Sequence, residues 1–333
     1  MPSQRMEQID MDLSGKTILL TGGTGSFGNA FVRRVLDEFP TAVVRVYSRD
    51  ELKQHDMAVA YDHHPNLRFF IGDIRNKARL TRATQGADIV IHAAAMKQVG
   101  ACEYNPFEAV QTNILGSQHV VDAAIDSGVE KVVALSTDKA VNPVNLYGAT
   151  KLCEEKIVVQ GNSYAAASKT ILGCVRYGNV VGSRGSVVPV FQRLKEEGKA
   201  ITITDERMTR FWLTLDSAVD LVMYALDNMR GGEVFVPRIP SMRVTDLAAA
   251  IAPELPVEYV GIRPGEKLHE FMITADEARH TIRVGDVFVV LPESASWTKG
   301  TDWQGTALPD GFEYSSGEND EWLDAEQLVE MIG

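Results

Sequence analysis

Lys-Thr-Ile-Leu-Leu-Thr-Gly-Gly-Thr-Gly-Ser-Phe-Gly, residues 16–28, is the stretch that decides the fold of this chain. Its first six residues form an apolar run typical of a buried strand, and a helical pattern follows from Asn29 to Glu38. Between strand and helix stand three glycines at a spacing of three: Gly22, Gly25 and Gly28. Glycine closes such a turn, lets backbone N–H groups approach a pyrophosphate and lets the helix pack on its strand. The stretch therefore predicts a dinucleotide-binding strand–turn–helix unit, whereas a tight turn without a ligand is the alternative.

Apolar strand-like runs continue to alternate with helical patterns as far as about residue 176. This alternation predicts an α/β fold, a doubly wound parallel sheet of the Rossmann type with a smaller C-terminal substrate lobe. We assign residues 1–177 to the nucleotide-binding domain and residues 178–333 mainly to the substrate lobe. Segments near 205–245 are expected to return to the first domain, because we find no linker between the two parts.

Composition excludes several classes of protein. The net charge of −12 over 333 residues argues against a nucleic-acid partner. No apolar run reaches membrane-spanning length, and residues 1–12 are polar and acidic, unlike a signal peptide. Cys102, Cys153 and Cys174 lack the spacing of metal ligands, which favours free thiols in a reducing compartment. We expect a cytoplasmic protein without a metal or a membrane partner.

The end of the second strand-like run bears on the choice of cofactor. Arg49 follows the last glycine of the turn by 21 residues, with Ser48 before it and Lys53 one helical turn later. Serine and arginine suit a 2′-phosphate, so NADP is favoured over NAD. Asp50 and Glu51 weaken this prediction, because a solvated charged face would look similar.

Further cofactor contacts are expected from the ends of the other strands. Asp73 and Ile74 are placed to reach the adenine, and small residues after the fourth run leave space for the nicotinamide ribose. The remaining candidate cofactor residues are Thr24, Ser26, Phe27, Ala93, Ala94, Ala95, Lys97, Tyr147 and Lys151.

A second stretch carries candidate catalytic chemistry. Tyr147 and Lys151 are four residues apart, so on a helix they share one face. An ammonium at that distance is expected to lower the tyrosine pKa from roughly 10 towards neutrality. Asp138 and Lys139 follow an apolar strand and add a second acid–base pair. Desolvation or a nearby cation such as Lys97 is expected to lower the pKa of Lys139.

Several motifs in order along the chain resemble those of one known family. They are Thr-Gly-x-x-Gly-x-x-Gly at 21–28, Tyr47–Gln54, Gly72–Ile74, His92–Ala95, Leu135–Ala140, Asn145–Lys151, Arg176–Val180, Arg263–Glu270 and Tyr314–Trp322. The chain resembles extended short-chain dehydrogenases/reductases, and more closely the inverting UDP-N-acetylglucosamine 4,6-dehydratases that open pseudaminic acid biosynthesis. Retaining 4,6-dehydratases carry Thr-Asp-Glu where this chain has Thr-Asp-Lys at 137–139. Residues 1–13 and 281–309 depart from the family pattern.

The resemblance implies a cycle in which C4 of the sugar is oxidised, water is eliminated and the hydride returns to C6. Tyr147 and Lys151 would serve the oxidation, with Ser136 or Thr137 orienting the hydroxyl. Lys139 would remove the C5 proton and Asp138 would protonate the leaving hydroxyl. Arg263 is implied as a diphosphate clamp and Glu266 as a ribose contact. Further substrate candidates come from three places: Lys97 on the loop after the fourth run, Asn179 and Val187 in the polar loop after the sixth run, and Arg210 beside aromatic residues. Relatives also form homo-oligomers, hexamers among them.

Two other functions remain open at this stage. A UDP-sugar 4-epimerase or reductase of the same superfamily needs the tyrosine and lysine but no Asp-Lys pair. A non-catalytic NADP-binding sensor would keep only the glycine turn.

Overall fold

The structure is a computed structural model that describes residues 9–183, 186–293 and 303–332. Parts of three stretches with a sequence-based expectation lie outside the described residues: the N-terminal segment, the polar loop at 179–189 and the departing segment at 281–309.

The first half of the chain alternates strands and helices as predicted. Its elements are β1 (Thr17–Thr21), α1 (Ser26–Glu38), β2 (Val43–Ser48), α2 (Glu51–Ala60), β3 (Leu67–Ile71), α3 (Lys77–Thr84), β4 (Ile89–His92), α4 (Val99–Tyr104), α5 (Pro106–Ala109), α6 (Gly116–Asp126), β5 (Lys131–Leu135), α7 (Leu146–Tyr164) and β6 (Ile171–Val175). A π-helical stretch, Val110–Leu115, joins α5 to α6, so residues 106–126 form one helical path with a locally wider turn.

The second half contains shorter elements. They are β7 (Asn179–Val180), α8 (Val187–Glu196), β8 (Ile201–Ile203), β9 (Thr209–Leu213), α9 (Leu215–Asn228), β10 (Val234–Pro237), β11 (Ser241–Arg243), α10 (Val244–Ile251), β12 (Val257–Tyr259), β13 (Phe271–Ile273), α11 (Ala275–Ala278), β14 (Thr281–Val284), β15 (Val287–Val290), β16 (Thr306–Ala307), β17 (Tyr314–Ser315) and α12 (Ala325–Ile332).

One large sheet organises the described residues, with strand order β16-β14-β15-β10-β6-β5-β4-β1-β2-β3. From β10 to β3 all neighbouring strands are parallel, while β15, β14 and β16 add an antiparallel edge. The predicted doubly wound, mostly parallel α/β sheet is confirmed. The hairpin of β14 and β15 was not foreseen in this sheet; it joins because every residue of β15 is apolar and buried.

Both faces of the sheet are covered, because successive strand residues point to opposite sides. Leu19 of β1 packs in the cluster that contains α3, α6 and α7 residues. Its neighbour Leu20 packs in the cluster that contains α1 and α9 residues. The helix α9 therefore packs beside α1 on the same face of the sheet, although it comes from the second half of the chain.

A third, smaller core lies in the second half. It contains Val188 and Phe191 of α8, Ile201 of β8, Trp212 of β9 and Leu247 of α10.

The chain crosses from β3 to β4 on the other side of β1, so the carboxyl ends of β1 and β4 form a topological switch point, where ligands bind in this class of sheet. Across the part of the chain that the structure describes, no helix has both the length and the apolar character to cross a membrane.

Candidate functional site

A cavity of about 1250 Å³ opens at this switch point and extends to the smaller core. Nearly all sequence-predicted site residues line it, although they are far apart in the chain. They are Gly22, Thr24, Gly25, Ser26, Phe27, Gly28, Ser48, Arg49, Lys53, Asp73, Ile74, Ala93, Ala94, Ala95, Lys97, Thr137, Lys139, Tyr147, Lys151, Asn179, Val187, Arg210, Arg263 and Glu266. Among the predicted catalytic residues, Asp138 alone does not line the cavity, because its side chain is fully buried behind its neighbours.

The glycine turn forms one end of the cavity. Gly22 has φ +69°, and a Cβ there would lie 2.8 Å from the backbone of Ala94. A Cβ on Gly28 would lie 2.2 Å from the carbonyl oxygen of Gly23. The helix α1 begins at Ser26 without a side-chain cap from Gly25, so its N-terminal dipole is directed at the cavity. Such a cradle fits the pyrophosphate of a dinucleotide.

The rim beyond this turn is charged with both signs. The Arg49 guanidinium lies 3.9 Å from the Asp73 carboxylate, and the Lys53 ammonium lies 3.0 Å from Asp50. Asp73 also accepts hydrogen bonds from the backbone and side chain of Arg75. These acidic neighbours offset the cations, so the rim geometry alone does not select between NADP and NAD.

A buried polar brace supports the loop after β4. The Asn113 amide accepts from Met96 N at 2.8 Å and donates to Met96 O at 2.9 Å. It also donates to Thr150 of α7 at 2.9 Å. Because Asn113 contacts both segments, it fixes the loop carrying Lys97 relative to the helix carrying Tyr147 and Lys151.

The Asp138–Lys139 pair lies in a short 3-10 turn after β5. The Lys139 ammonium donates to Asp138 Oδ1 at 3.0 Å and to Asn179 Oδ1 at 3.3 Å. Thr137 Oγ1 donates to the same Asp138 oxygen at 2.9 Å. The other carboxyl oxygen, Asp138 Oδ2, is buried without a hydrogen-bond partner among the described residues. Burial raises the pKa of Asp138, against the opposing effect of Lys139, which favours a carboxyl group that holds a proton.

The expected lowering of the Lys139 pKa is wrong for this structure. Burial alone would lower the pKa of the amine, but the carboxylates of Asp138 and Glu270 raise it above its ordinary value. It is the pKa of Lys97 that is lowered. Burial of the Lys97 side chain is the larger cause, and repulsion from the like charge of Lys139 is the smaller one.

The expected lowering of the Tyr147 pKa by Lys151 is also wrong for this structure. Burial raises the pKa of the Tyr147 phenol. The Lys151 ammonium donates to Leu135 O at 2.7 Å and lies 2.5 Å from Glu154 Oε1. The Lys151 ammonium therefore interacts with this carbonyl and this carboxylate, whereas the sequence predicted that it stabilises the Tyr147 phenolate. Both side chains still line the same cavity.

Two contacts tie the segment at 263–270 to the region of the turn that carries Asp138 and Lys139, the proposed catalytic turn, and Arg210 braces the same segment. Asn145, which caps α7 through Gly148 N, also donates to Gly265 O at 2.8 Å. Lys267 donates to Val141 O at 2.6 Å. Arg210 donates to the carbonyl oxygens of Lys267 and Leu268, so its guanidinium braces this segment as well as lining the cavity.

Arg263 and Glu266 face each other at the outer end of the cavity. Their side chains are 3.9 Å apart, and Arg263 N donates to Glu266 Oε2 at 3.2 Å. The Arg263 side chain is 64% exposed, so it can reorient toward a ligand without breaking a buried contact.

Three site residues were missed by the sequence analysis. Glu270 lines the cavity beside Lys139, Asn145 links α7 to Gly265, and Glu154 pairs with Lys151. The spacing of Lys151 and Glu154 by three residues was an available signal for an ion pair on one helix face. Glu270 ends a motif already noted, but its partner Lys139 lies 131 residues away in sequence, so no local pattern could reveal the contact.

No cluster of three or more potential metal-binding side chains occurs within residues 9–183, 186–293 and 303–332.

Comparison with known proteins places this arrangement among enzymes of nucleotide sugars. The sequence model of a family described as polysaccharide biosynthesis protein matches residues 18–292. A UDP-N-acetylglucosamine 4,6-dehydratase (inverting) from Campylobacter jejuni is 49% identical over 325 residues, covering 95% of this chain and 97% of the relative. A UDP-glucose 4-epimerase from Rickettsia canadensis is 42% identical over 280 residues, covering 82% of each chain.

Solved structures agree on the fold. The X-ray structure of Pen from Bacillus thuringiensis superposes with a TM-score of 0.89 at 39% identity, covering 97% of this chain and 98% of that one. A dTDP-glucose 4,6-dehydratase from Streptomyces venezuelae with NAD and TYD bound superposes with a TM-score of 0.68 at 24% identity, covering 76% and 86%. At that identity the second likeness shows the fold alone.

Proposed function

Because this chain belongs to the polysaccharide biosynthesis protein family of extended short-chain dehydrogenases/reductases, we propose that it is a hydro-lyase acting on UDP-N-acetylglucosamine. The reaction is 4,6-dehydration with inversion at C5, giving UDP-2-acetamido-2,6-dideoxy-β-L-arabino-hexos-4-ulose. Support comes from a relative of that name at 49% identity over nearly the whole chain.

One observation carries the proposal. Lys139 lies at the cavity wall with its ammonium 3.0 Å from the buried Asp138 carboxyl, in the same cavity as Tyr147 and Lys151. An alcohol–ketone exchange at C4 needs one proton-transfer group. Removal of water across C5 and C6 needs a further base and a further acid, and this pair supplies both groups.

A nicotinamide dinucleotide fits the other half of the cavity. The glycine turn and the start of α1 would hold its pyrophosphate, and Asp73 and Ile74 would contact its adenine. When bound, this cofactor supplies the hydride acceptor and donor for the sugar carbons. We propose NADP, because Ser48, Arg49 and Lys53 offer a hydroxyl and two cations at the rim, which a 2′-phosphate would draw away from Asp50 and Asp73.

The first proton transfer belongs to Tyr147. In the proposed reaction the Tyr147 phenolate takes the proton of the sugar 4-hydroxyl as C4 becomes a ketone. Thr137 and Ser136 line the cavity beside it, and the Ser136 hydroxyl is buried without a hydrogen-bond partner among the described residues. An unpaired buried hydroxyl is costly, so a substrate hydroxyl that bonds it would be favoured. Lys151 must leave Glu154 or share its charge for the phenolate to form.

The elimination belongs to Asp138 and Lys139. The Lys139 ammonium first gives a proton to the Asp138 carboxylate 3.0 Å away, which leaves a neutral amine beside a protonated carboxyl group. The 4-ketone acidifies the C5 proton, which then passes to the Lys139 amine. The electron pair of that C–H bond forms the C5–C6 double bond, and the C6–O bond breaks. The oxygen leaves as water with the proton of the Asp138 carboxyl, whose pKa is raised by burial. With the hydride that a bound cofactor would return to C6, protonation at C5 from the opposite face saturates this double bond and completes the inversion.

The diphosphate end of the substrate would meet Arg263, with Glu266 accepting from ribose hydroxyls. Arginine suits this position because its planar guanidinium can donate two parallel hydrogen bonds to a phosphate. Lys97, Asn179, Val187 and Arg210 line the intervening space and complete the proposed substrate site.

The test is incubation of the purified protein with UDP-N-acetylglucosamine in deuterated water, followed by NMR. We expect a 4-keto-6-deoxy product with deuterium at C5 and the inverted configuration. Asp138→Asn should abolish the elimination while leaving dinucleotide binding unchanged. Unchanged substrate, or its 4-epimer as the sole product, would contradict the proposal.

A 4-epimerase is the second candidate, because a relative of that name is 42% identical over 82% of the chain. Epimerisation needs Tyr147 and Lys151 but no elimination pair. If this candidate is right, Asp138→Asn retains most of the turnover and no deuterium enters C5.

A further inference from the structure

Glu270 is a buried carboxylate with no role in the proposed chemistry. It is 3% exposed, yet it lies among the residues that line the cavity. Its Oε1 atom is 3.6 Å from the Lys139 ammonium, and its Oε2 atom has no hydrogen-bond partner among the described residues. Burying a carboxylate with an incomplete set of hydrogen bonds lowers the stability of the folded protein. A role beside the proposed base would account for its presence at this position.

Three cations surround this carboxylate. Besides Lys139, the Arg210 side chain lies 3.9 Å from Oε1 and the Lys267 ammonium lies 3.5 Å from Oε2. Burial alone would raise the pKa of Glu270, but these cations hold it below its usual value. Glu270 is therefore ionised at neutral pH, and its charge is permanently present beside Lys139.

The electrostatic environment of Lys139 comes from several elements. Asp138 belongs to the same turn, Glu270 follows the proposed diphosphate segment and Arg210 comes from β9. Lys97, on the loop after β4, adds a like charge. The Tyr147 phenol of α7 interacts electrostatically with Asp138. The Lys267 ammonium pairs with Glu270, so it affects Lys139 indirectly through that carboxylate.

We propose that Glu270 is a positioning residue that holds the Lys139 amine at the cavity wall and stabilises the ammonium formed when Lys139 takes the C5 proton. The catalytic meaning of this inference depends on the proposed function. A carboxylate at this distance favours the charged amine, which increases the driving force for proton removal. The same charge repels the Asp138 carboxylate, so it favours the protonated form that donates to the leaving hydroxyl.

The position of Glu270 also connects substrate binding to the base. Glu270 follows the segment that begins with Arg263 and Glu266, and Lys267 of that segment donates to Val141 O next to the catalytic turn. A nucleotide diphosphate that draws the segment inward would therefore move Glu270 relative to Lys139.

The test measures the reactivity of the Lys139 amine in the intact protein. Trace acetylation with acetic anhydride at pH 8, mapped by mass spectrometry, reports the neutral fraction of each lysine. Glu270→Gln removes the charge at nearly constant volume, so the pKa of Lys139 should fall and its acetylation should become about 10-fold faster. The pH profile of turnover should move to lower pH by about one unit on its acidic side.

Lys267→Met provides the opposite change. It removes a cation that competes for Glu270, so acetylation of Lys139 should become slower and the profile should move to higher pH. A merely structural role for Glu270 predicts lost stability in both variants, without opposite shifts. Glu233→Gln is the matched control, because Glu233 is also buried but caps the turn at Arg230 and Gly231 away from the cavity.

The outcomes separate this inference from the proposed function. Unchanged acetylation of Lys139 in folded Glu270→Gln overturns the inference; if that variant does not fold, unchanged acetylation in Lys267→Met overturns it. Opposite shifts in a protein that leaves UDP-N-acetylglucosamine unchanged support the charge arrangement and reject the proposed reaction.

Discussion

At the scale of single residues, Glu154 shows how burial and charge compete beside the active cavity. Its side chain is 1% exposed and lies against the Lys151 ammonium. Burial raises the pKa of the Glu154 carboxyl to about 7, against the opposing effect of Lys151. The folded protein therefore binds a proton here at pH values where the unfolded chain has released it.

This difference predicts a pH-dependent stability cost. Below the unfolded pKa of 4.5 the cost is absent; it grows as the pH rises to about 7 and is constant above that value. Glu154→Gln should remove it, so the stability of the variant relative to the natural protein should increase between these pH values by about 3 kcal/mol. Urea unfolding at a series of pH values measures the difference. The exposed Glu326→Gln is the control, and a pH-independent difference for Glu154→Gln would contradict the assignment.

At the scale of elements, the start of α7 packs directly on the turn that carries Asp138 and Lys139. A Cβ on Gly148 would lie 2.1 Å from the carbonyl oxygen of Lys139 and 3.1 Å from Pro143 Cβ. The helix that presents Tyr147 and the turn that presents Asp138 and Lys139 are therefore held in one geometry by the absence of a side chain between them.

Gly148→Ala should accordingly displace the turn without disturbing the glycine-rich cradle. We expect turnover to fall by about 100-fold, because displacements near 1 Å at reacting groups have effects of that size. Dinucleotide affinity, measured by calorimetry, should stay within about twofold, since displacement of this turn leaves the cradle intact. Cys153→Ala, on the exposed side of the same helix, is the control. Full activity of Gly148→Ala would show that the turn can shift freely.

At the scale of the whole molecule, Arg176 joins the two halves of the chain. It is buried at the end of β6 and donates to Glu155 of α7 at 3.0 and 2.7 Å. It also donates to Met272 O of β13 at 2.7 Å and to Glu277 of α11 at 2.8 Å. These contacts span the parallel sheet and the C-terminal segment that follows Glu270.

Arg176→Met should destabilise the protein by about 3–5 kcal/mol, because it leaves the Glu155 carboxylate buried without its partner. The unfolding free energy from denaturant titration measures this loss. Arg176→Met combined with Glu155→Leu should recover part of it, since the unpaired charge is then removed. A double variant no more stable than the single one would indicate that packing around Arg176 dominates.

Assembly and location belong to the same scale. The homo-oligomer, the division at residue 177 and the cytoplasmic location stay predictions.

Much of the nucleotide half could be predicted from sequence because its signals are local. The glycine spacing at 22–28 and the apolar runs act through neighbouring residues, and the sheet they predict is present.

The acid–base state of the site could not be read in this way. The spacing of Tyr147 and Lys151 predicted an ammonium close to the phenol, whereas Leu135 O and Glu154 bind that ammonium in the folded chain. Lys139 was expected to lose charge on burial, and the nearby carboxylates raise its pKa instead.

The sequence by itself determined the parallel sheet, the cradle and the set of side chains available to the cavity, because backbone geometry and periodicity act over a few residues. Only the tertiary structure decided which charges meet there. Asp138, Lys139 and Glu270 interact across 131 residues of chain, and electrostatic energy depends on distance and burial in the folded molecule rather than on sequence spacing.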